Sequence, residues 1–296
     1  MRTKDPIREV AERLEADLAE RLERSGLMHR LFMRVKTMRS IAHKMRMKGE
    51  RYRQGTVRMQ DIIGLRVVLY FPEDVDILAF YLSCQGLVKQ SIDEPDISTF
   101  RPRRLNLTKR IPEADIEAFR EGLPPEYAPF IDETYEIQIR TIFSEGWHEV
   151  EHDLRYKCQG DWIGCESYSR TLNGLFATLE TAEWGMQALF REMAGKNRVD
   201  GNYGAMLRNM MRIRLKSDDF SPAVSDYLKT HPLVAERLMA ADRMVLMLTI
   251  LNHEGSIRLD HDNVLFLVNR IELKDKGVRA LEHVEVSRRL DEFLRS

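Results

Sequence analysis

Glu136, Gln138 and Arg140 alternate with Ile137 and Ile139 in the run YEIQIRT, Tyr135 to Thr141. A strand there delivers a carboxylate, an amide and a guanidinium to one side of a sheet. That trio suits a nucleotide phosphate and its metal ion. A second carboxylate, Asp61, opens the apolar run DIIGLRVVLYF. An ionised group resists burial without a partner, so it is either a strand-start cap paired with Arg66 at the surface or one of two carboxylates that hold magnesium, Glu136 being the other. Magnesium takes one or two carboxylates and shares its other positions with water and substrate phosphate. A third island, Arg34 to Lys44, sets Lys36, Ser40 and Lys44 at i, i+4 intervals. On one helix they form a ridge of two ammonium groups and a hydroxyl, fit for a triphosphate chain. Taken alone, that ridge reads first as a solvated basic helix face.

A competing pattern is His148-Glu149-Val150-Glu151-His152, which matches the H-E-x-x-H helix of zinc proteases. It would need a third protein ligand, for which Glu166 or Glu180 are available. It also leaves Asp61, the basic ridge and the Glu136 strand without a role. The zinc reading ranks below the nucleotide reading, with a charged helix packing His152 beside Trp147 between them.

The elements that must position these residues follow from periodicity. Val10, Leu14, Leu18 and Leu22 mark an amphipathic helix from Ile7 to about Gly26, and a second helix is expected from about Met28 to Lys48. Asp61 to Phe71 is a strand, and Pro72-Glu73-Asp74 caps a helix through Val75 to Ser83. Prolines cut residues from about Gly86 to Pro129 into short pieces, with a strand at Leu105 to Lys109. The Glu136 strand leads into a helix from about Ser144 to Tyr156. Beyond Gly164 the pattern stays helical: Leu172, Leu175, Leu179, Trp184, Leu189 and Phe190, then Met206 to Leu215, Ala223 to Leu228, Leu233 to Asn252 and Asn263 to Leu273. The expected fold is α/β (α+β), a mixed sheet flanked by helices over residues 1–195. Residues 196–296 form an all-helical C-terminal extension, with Gly195 to Gly204 as the linker. Its methionines, Met206 and Met244 among them, read as core filling rather than a partner groove.

A net charge of -1 over 296 residues, with 43% hydrophobic and 31% charged, argues against a generic nucleic-acid coat. It leaves room for a local basic groove at Arg101, Arg103, Arg104, Lys109 and Arg110. Cys84, Cys158 and Cys165 are too few for a disulfide framework. No run approaches the ~18 apolar residues of a membrane span, and Met1 to Val10 is charged, so a cytoplasmic protein without membrane attachment is expected.

Together the islands resemble the synthetase domain of the RelA/SpoT alarmone family, the GTP pyrophosphokinases. The matching pieces are R-x-K-x-x-x-S-x-x-x-K at Arg34 to Lys44, D-I-x-G-[IL]-R at Asp61 to Arg66, E-I-Q-I-R-T at Glu136 to Thr141 and W-x-x-x-E-H-x-x-x-Y-K at Trp147 to Lys157. Each is weak alone, whereas the ordered set over roughly residues 30–190 is specific. The resemblance implies a nucleotidyltransferase-like sheet and pyrophosphoryl transfer from ATP to the 3'-hydroxyl of GTP or GDP, giving (p)ppGpp and AMP. Arg34 and Arg66 would sandwich adenine, Lys36, Ser40 and Lys44 would hold the ATP phosphates, and Asp61 and Glu136 would bind Mg2+. Glu136 would also help activate the attacking hydroxyl. Only about thirty residues precede Arg34, so the implied form is synthetase-only, without the family's histidine-aspartate hydrolase domain; such small members are often homo-oligomers.

The acceptor side departs from the family. Its G-Y-x-S-x-H loop, whose tyrosine stacks on the acceptor base, is replaced by Phe100-Arg101-Pro102-Arg103-Arg104-Leu105-Asn106-Leu107. Asn106 takes the histidine position, and Phe100 or an arginine such as Arg103 offers the stacking surface. Gln138 is assigned to the acceptor side, and Glu145 stands where the family reads the guanine edge. Adenine nucleotide or the 3' end of tRNA, the latter as in toxin members, remains an alternative acceptor. A catalytically weak nucleotide- or partner-binding protein is the non-enzymatic alternative.

Overall fold

The computed structural model describes residues 5–53, 57–93, 104–253, 255 and 257–295. Five strands form one mixed sheet: β1 His29–Val35, β2 Ile63–Leu69, β3 Leu87–Asp93, β4 Arg104–Arg110 and β5 Thr134–Thr141, in the order β1-β2-β5-β4-β3. Only β2 and β5 run parallel; the other neighbours are antiparallel. The central strands β2 and β5 bury Leu65, Val67, Ile137 and Ile139. Against this sheet packs α3, Pro72–Ser83, which buries Ile77, Leu78, Tyr81 and Leu82. The opposite rows of side chains are polar, and they make the site.

Before the sheet comes α1, Pro6–Ser25, with Val10, Leu14, Leu18 and Leu22 buried as their spacing predicts. The helix expected from Met28 to Lys48 is instead β1 followed by α2, Met38–Arg53. In β1 half-buried His29, Leu31, Met33 and Val35 alternate with exposed Arg30, Phe32 and Arg34, a two-residue period. Leu31, Val35 and Met38 happen to share helical spacing as well, which is why the segment imitates a helix. Thr37 ends the strand and caps the helix, its Oγ1 accepting from the Ser40 amide at 3.3 Å.

Between β4 and β5 lies α4, Glu113–Gly122. After β5 comes α5, Ile142–Glu151, capped by Thr141 through the Ser144 amide and extended by a π-helical turn, His152–Tyr156. Then α6 runs unbroken from Glu166 to Val199. Chain contacts divide the molecule into two compact units, one of residues 1–20 and 29–180 that holds the whole sheet, the other of residues 21–28 and 181–296.

The second unit is helical: α7 Tyr203–Met211, α8 Pro222–Thr230, α9 Pro232–Ala240, α10 Arg243–Asn252, α11 His261–Val268, α12 Lys276–Ala280 and α13 Val284–Phe293. The expected linker shrinks to a turn at Asp200 to Asn202, where Gly201 takes φ +74°. One expected helix, Leu233 to Asn252, is two, because the Asp242 carboxylate accepts from the Met244 and Val245 amides and starts α10 afresh. Met206, Met211 and Met247 are buried, as core filling requires, whereas Met210, Met239 and Met244 are half-buried. No described helix is long and apolar enough to cross a membrane.

Candidate functional site

Register fixes which side chains share the polar face. One row across the sheet reads Arg34, Gly64, Glu136, Thr108, Lys89; the next reads Phe32, Arg66, Gln138, Asn106, Ser91. Glu136, Gln138 and Arg140 do lie on one face, as their alternation predicts. A Cβ built on Gly64 would meet nothing within 4 Å, so the row is open between Arg34 and Glu136.

Asp61 stands at the mouth of β2. Met59 bridges to Ile131, Gln60 Nε2 donates to Asp132 at 3.0 Å and Thr134 Oγ1 donates to the Gln60 carbonyl at 3.3 Å. These bonds tie the approach to β2 to the approach to β5. The Lys36 amide donates to the Ile62 carbonyl at 2.8 Å, which brings the end of β1 alongside. Lys36 Nζ then donates to Asp61 Oδ2 at 2.5 Å, and Lys44 Nζ, from α2, donates to both carboxylate oxygens at 3.0 Å. The expected ridge on one helix is therefore corrected: Lys36 precedes α2, and the two ammonium groups converge because a strand end and a helix face the same carboxylate. Ser40 sits in the first turn of α2, its Oγ 2.9 Å from Thr37 Oγ1.

Burial raises the Asp61 pKa, but the two lysines outweigh it and hold the carboxyl below its ordinary range. Burial also depresses Lys36, and Asp61 only partly restores it; Lys44, less buried, ends above its usual value because Asp61 prevails. The opposite signs on two lysines sharing one partner reflect side-chain exposures of 11% and 29%. Glu136 is raised, first by burial and then by the like charge of Asp61, against a 3.3 Å hydrogen bond from Gln138 Nε2.

Deeper in the polar face, Gln138 Oε1 accepts from Arg66 Nε at 3.1 Å and from Arg140 Nη2 at 3.4 Å. Glu145, reaching back from α5, pairs with Arg66 Nη1 at 2.5 Å and Arg140 Nη1 at 2.8 Å, while Glu149 takes Arg66 Nη1 at 2.6 Å. Both Glu145 oxygens are thus engaged within the protein.

A cleft of about 260 Å³ joins Lys44, Asp61 and Glu136 to Asn106 and Thr108. Asn106 Oδ1 is buried there with no hydrogen-bond partner among the described residues. Tyr52, Arg58, Lys89 and Ser91 also line it, and sequence reasoning missed all four. Lys89 and Arg58 make no ion pair with a described residue. The signal for Lys89 and Ser91 was faint: β3 reads LVKQSID, with no apolar alternation and a register shift between Leu87 and Lys89, and an edge strand of that kind resembles a loop. Arg34 is exposed on β1 and does not line the cleft. Arg103, with Phe100 and Arg101, lies outside the described residues.

Asp61 and Glu136 fit a hard cation: two oxygen donors line one cleft, and the like-charge effect on Glu136 is what such an ion would relieve. The His148 and His152 rings are 5.7 Å apart, and among the described residues no three His, Cys, Asp or Glu side chains gather into a metal-holding group. His152 stacks on Tyr156 at 5.6 Å and meets Asp153, whereas Trp147 packs on Phe176 at 4.9 Å. The expected packing of His152 beside Trp147 is corrected accordingly, because the π-helical turn carries His152 toward Tyr156.

Residues 33–161 match the family model described as a region found in RelA / SpoT proteins. No curated protein matches the chain. Among solved structures it is similar to small alarmone synthetase 1 from Bacillus subtilis, at 24% identity and TM-score 0.46 over 62% of this chain and 92% of that one. The same enzyme bound to its product pppGpp matches at 25% and 0.46, over 62% and 92%. A GTP pyrophosphokinase family protein from Streptococcus pneumoniae matches at 23% and 0.47, over 69% and 94%.

Proposed function

We propose, from the premise that residues 33–161 are a RelA/SpoT region, that this chain transfers a pyrophosphoryl group from ATP to the 3'-hydroxyl of a guanosine nucleotide. One observation carries the reading. Within that region two ammonium groups converge on the Asp61 carboxylate, and Glu136, raised in pKa, lines the same cleft.

Lys36 and Lys44 leave Asp61 for the phosphate chain of ATP, each acting as a mobile point charge. Diagonal neighbours on adjacent strands stand ~7–8 Å apart, which is the gap a flat ring needs when stacked on both sides. Arg34 and Arg66 are such a pair, and they flank adenine. Asp61 and Glu136 would hold Mg2+, which would supply neutralisation of charge on the transferred group. Glu136 accepts the proton of the attacking hydroxyl, a task that suits a carboxylate of raised pKa. Asn106 and Lys89, on the strands beyond Glu136, and Arg58, which lines the same cleft, receive the acceptor, with Asn106 Oδ1 free to take a donor from it. Glu145 positions Arg66 and Arg140. With both oxygens engaged, it meets a guanine edge only after Arg66 moves.

The test is incubation with γ-labelled ATP and magnesium, offering GDP, GTP, ATP and bulk tRNA in parallel beside Asp61→Asn and Glu136→Gln. Label in a guanine nucleotide, absent with the variants, is the expected result. Label on tRNA alone would make the protein a tRNA pyrophosphokinase. No transfer to any acceptor would overturn the enzymatic reading.

A further inference from the structure

Strand β1 turns Arg30, Phe32 and Arg34 outward onto the polar face. Phe32 is the apolar member of that row, and it is 52% exposed. A single exposed phenyl group is common on protein surfaces; this one is set apart by its register. Phe32 stands directly opposite Arg66, and Arg34 directly opposite Gly64, so the four residues occupy the corners of one rectangle at the edge of the sheet. Among the described residues no ring stacks on Phe32, and Arg66 reaches the other way, to Gln138, Glu145 and Glu149. An uncovered aromatic ring thus borders the slot between two arginines.

We propose that Phe32 is a specificity-determining residue for the nucleotide donor: it closes the slot between Arg34 and Arg66 at the far edge of the base and selects adenine over guanine. The inference rests on the reading of that slot as the ATP site. Arg34 and Arg66 hold one diagonal of the rectangle, ~7–8 Å apart. A base stacked between them lies along the other diagonal, from Gly64 to Phe32. At the Gly64 corner a Cβ would meet nothing within 4 Å, and the next residue of that row is Glu136. The ribose and phosphates leave through this open corner toward Glu136. The edge of the base opposite the ribose, where N1 and the 2- and 6-substituents lie, then faces the phenyl ring.

The two arginines do not discriminate by themselves, since either purine stacks on a guanidinium plane. The phenyl ring does. It offers no hydrogen bond, so adenine sets a C–H at position 2 against it in an apolar contact, whereas guanine would bury an N–H and an amino group without partners. β1 is the outermost strand on that side, which leaves the 6-amino group of adenine in water. A protein that takes a guanine nucleotide as acceptor needs such a device, because the same nucleotide in the donor slot blocks turnover.

The test is titration calorimetry in magnesium with the α,β-methylene analogues of ATP and of 2,6-diaminopurine riboside triphosphate. The two differ only by the 2-amino group, and neither can transfer, because transfer breaks the α–β bridge. The wild type should favour the ATP analogue by at least ~5-fold. Phe32→Ala should bind that analogue about 5- to 15-fold more weakly, through the loss of roughly 50 Å² of apolar contact. Phe32→Asn, whose oxygen accepts from a 2-amino group, should close or reverse the preference. Both variants should keep the wild-type melting temperature, since the side chain is more than half exposed. A Phe32→Ala variant that binds the ATP analogue as tightly as the wild type overturns the proposal, and so does a base preference that Phe32→Asn leaves unchanged. Absence of binding to the wild type overturns the ATP site itself, and this inference with it.

Discussion

Replacing Asp61 by Asn separates what this carboxylate does for the fold from what it does for a ligand. In the folded protein it takes one contact from Lys36 and two from Lys44, with side-chain exposures of 11%, 29% and 34% for Lys36, Lys44 and Asp61. Charged hydrogen bonds contribute ~1.5–3 kcal/mol, and partial exposure of Asp61 reduces that. A loss of about 2 kcal/mol is expected, or a melting temperature lower by ~4–8 °C for a unit of this size. Because the folded-state pKa of Asp61 is depressed, this stability is present above the unfolded carboxylate range and is lost as pH falls through the folded value. The melting difference between wild type and variant should therefore persist at neutral pH and close only in acid below the ordinary aspartate range.

Binding should move the other way. A carboxylate ~5 Å from a bound phosphate opposes it by about 1–3 kcal/mol at effective dielectrics between those of water and a protein surface. Asp61→Asn should thus bind ATP at least ~5-fold more tightly in EDTA, read by titration calorimetry, while losing the gain that magnesium gives the wild type. If the variant binds metal-free ATP more weakly than the wild type, Lys36 and Lys44 do not hold phosphate, and the reasoning fails.

Glu136→Gln should abolish transfer yet stabilise the unliganded protein and raise its melting temperature, since a raised carboxyl pKa means that ionised Glu136 opposes folding above its unfolded pKa; calorimetry in EDTA reads it. Arg66→Lys keeps the charge but loses the planar contacts with Gln138, Glu145 and Glu149, so KM for ATP should rise about tenfold with a smaller change in kcat, as steady-state kinetics will show. Gly122→Ala places a methyl 2.6 Å from Ile7 Cγ1 and 3.0 Å from the Ile7 nitrogen, and should destabilise by ~1–3 kcal/mol, which urea denaturation measures.

Asp61 and Glu136, which line one cleft, stood out as candidates because a carboxylate beside a buried strand is conspicuous in a sequence. Lys36 was legible as a residue but not as a position, since Leu31, Val35 and Met38 satisfy both periods and only pairing with β2 decides between them. The ion pairs of Glu145 were not legible at all. They depend on β2 lying beside β5, a pairing between segments far apart in the chain that no local pattern announces. β3 escaped for the opposite reason: its register shifts between Leu87 and Lys89, and Lys89, Gln90 and Ser91 supply no apolar face to recognise. The long-range register alone brings Lys89 and Asn106 into the row structure that Glu136 anchors.

The parallel pairing of β2 with β5 also orders events during synthesis. β2 leaves the ribosome carrying Leu65, Val67, Val68 and Leu69, all destined for burial, and finds only β1 to pair with. Its second neighbour, β5, is complete roughly 4–14 s later at 5–20 residues per second. Through that interval one edge of the most apolar strand is unpaired, and a nascent chain in that state is open to association with its own copies. Slowing translation between Leu69 and Thr134 should lower the soluble yield, and speeding it should raise that yield, with no change in the protein that is finally made.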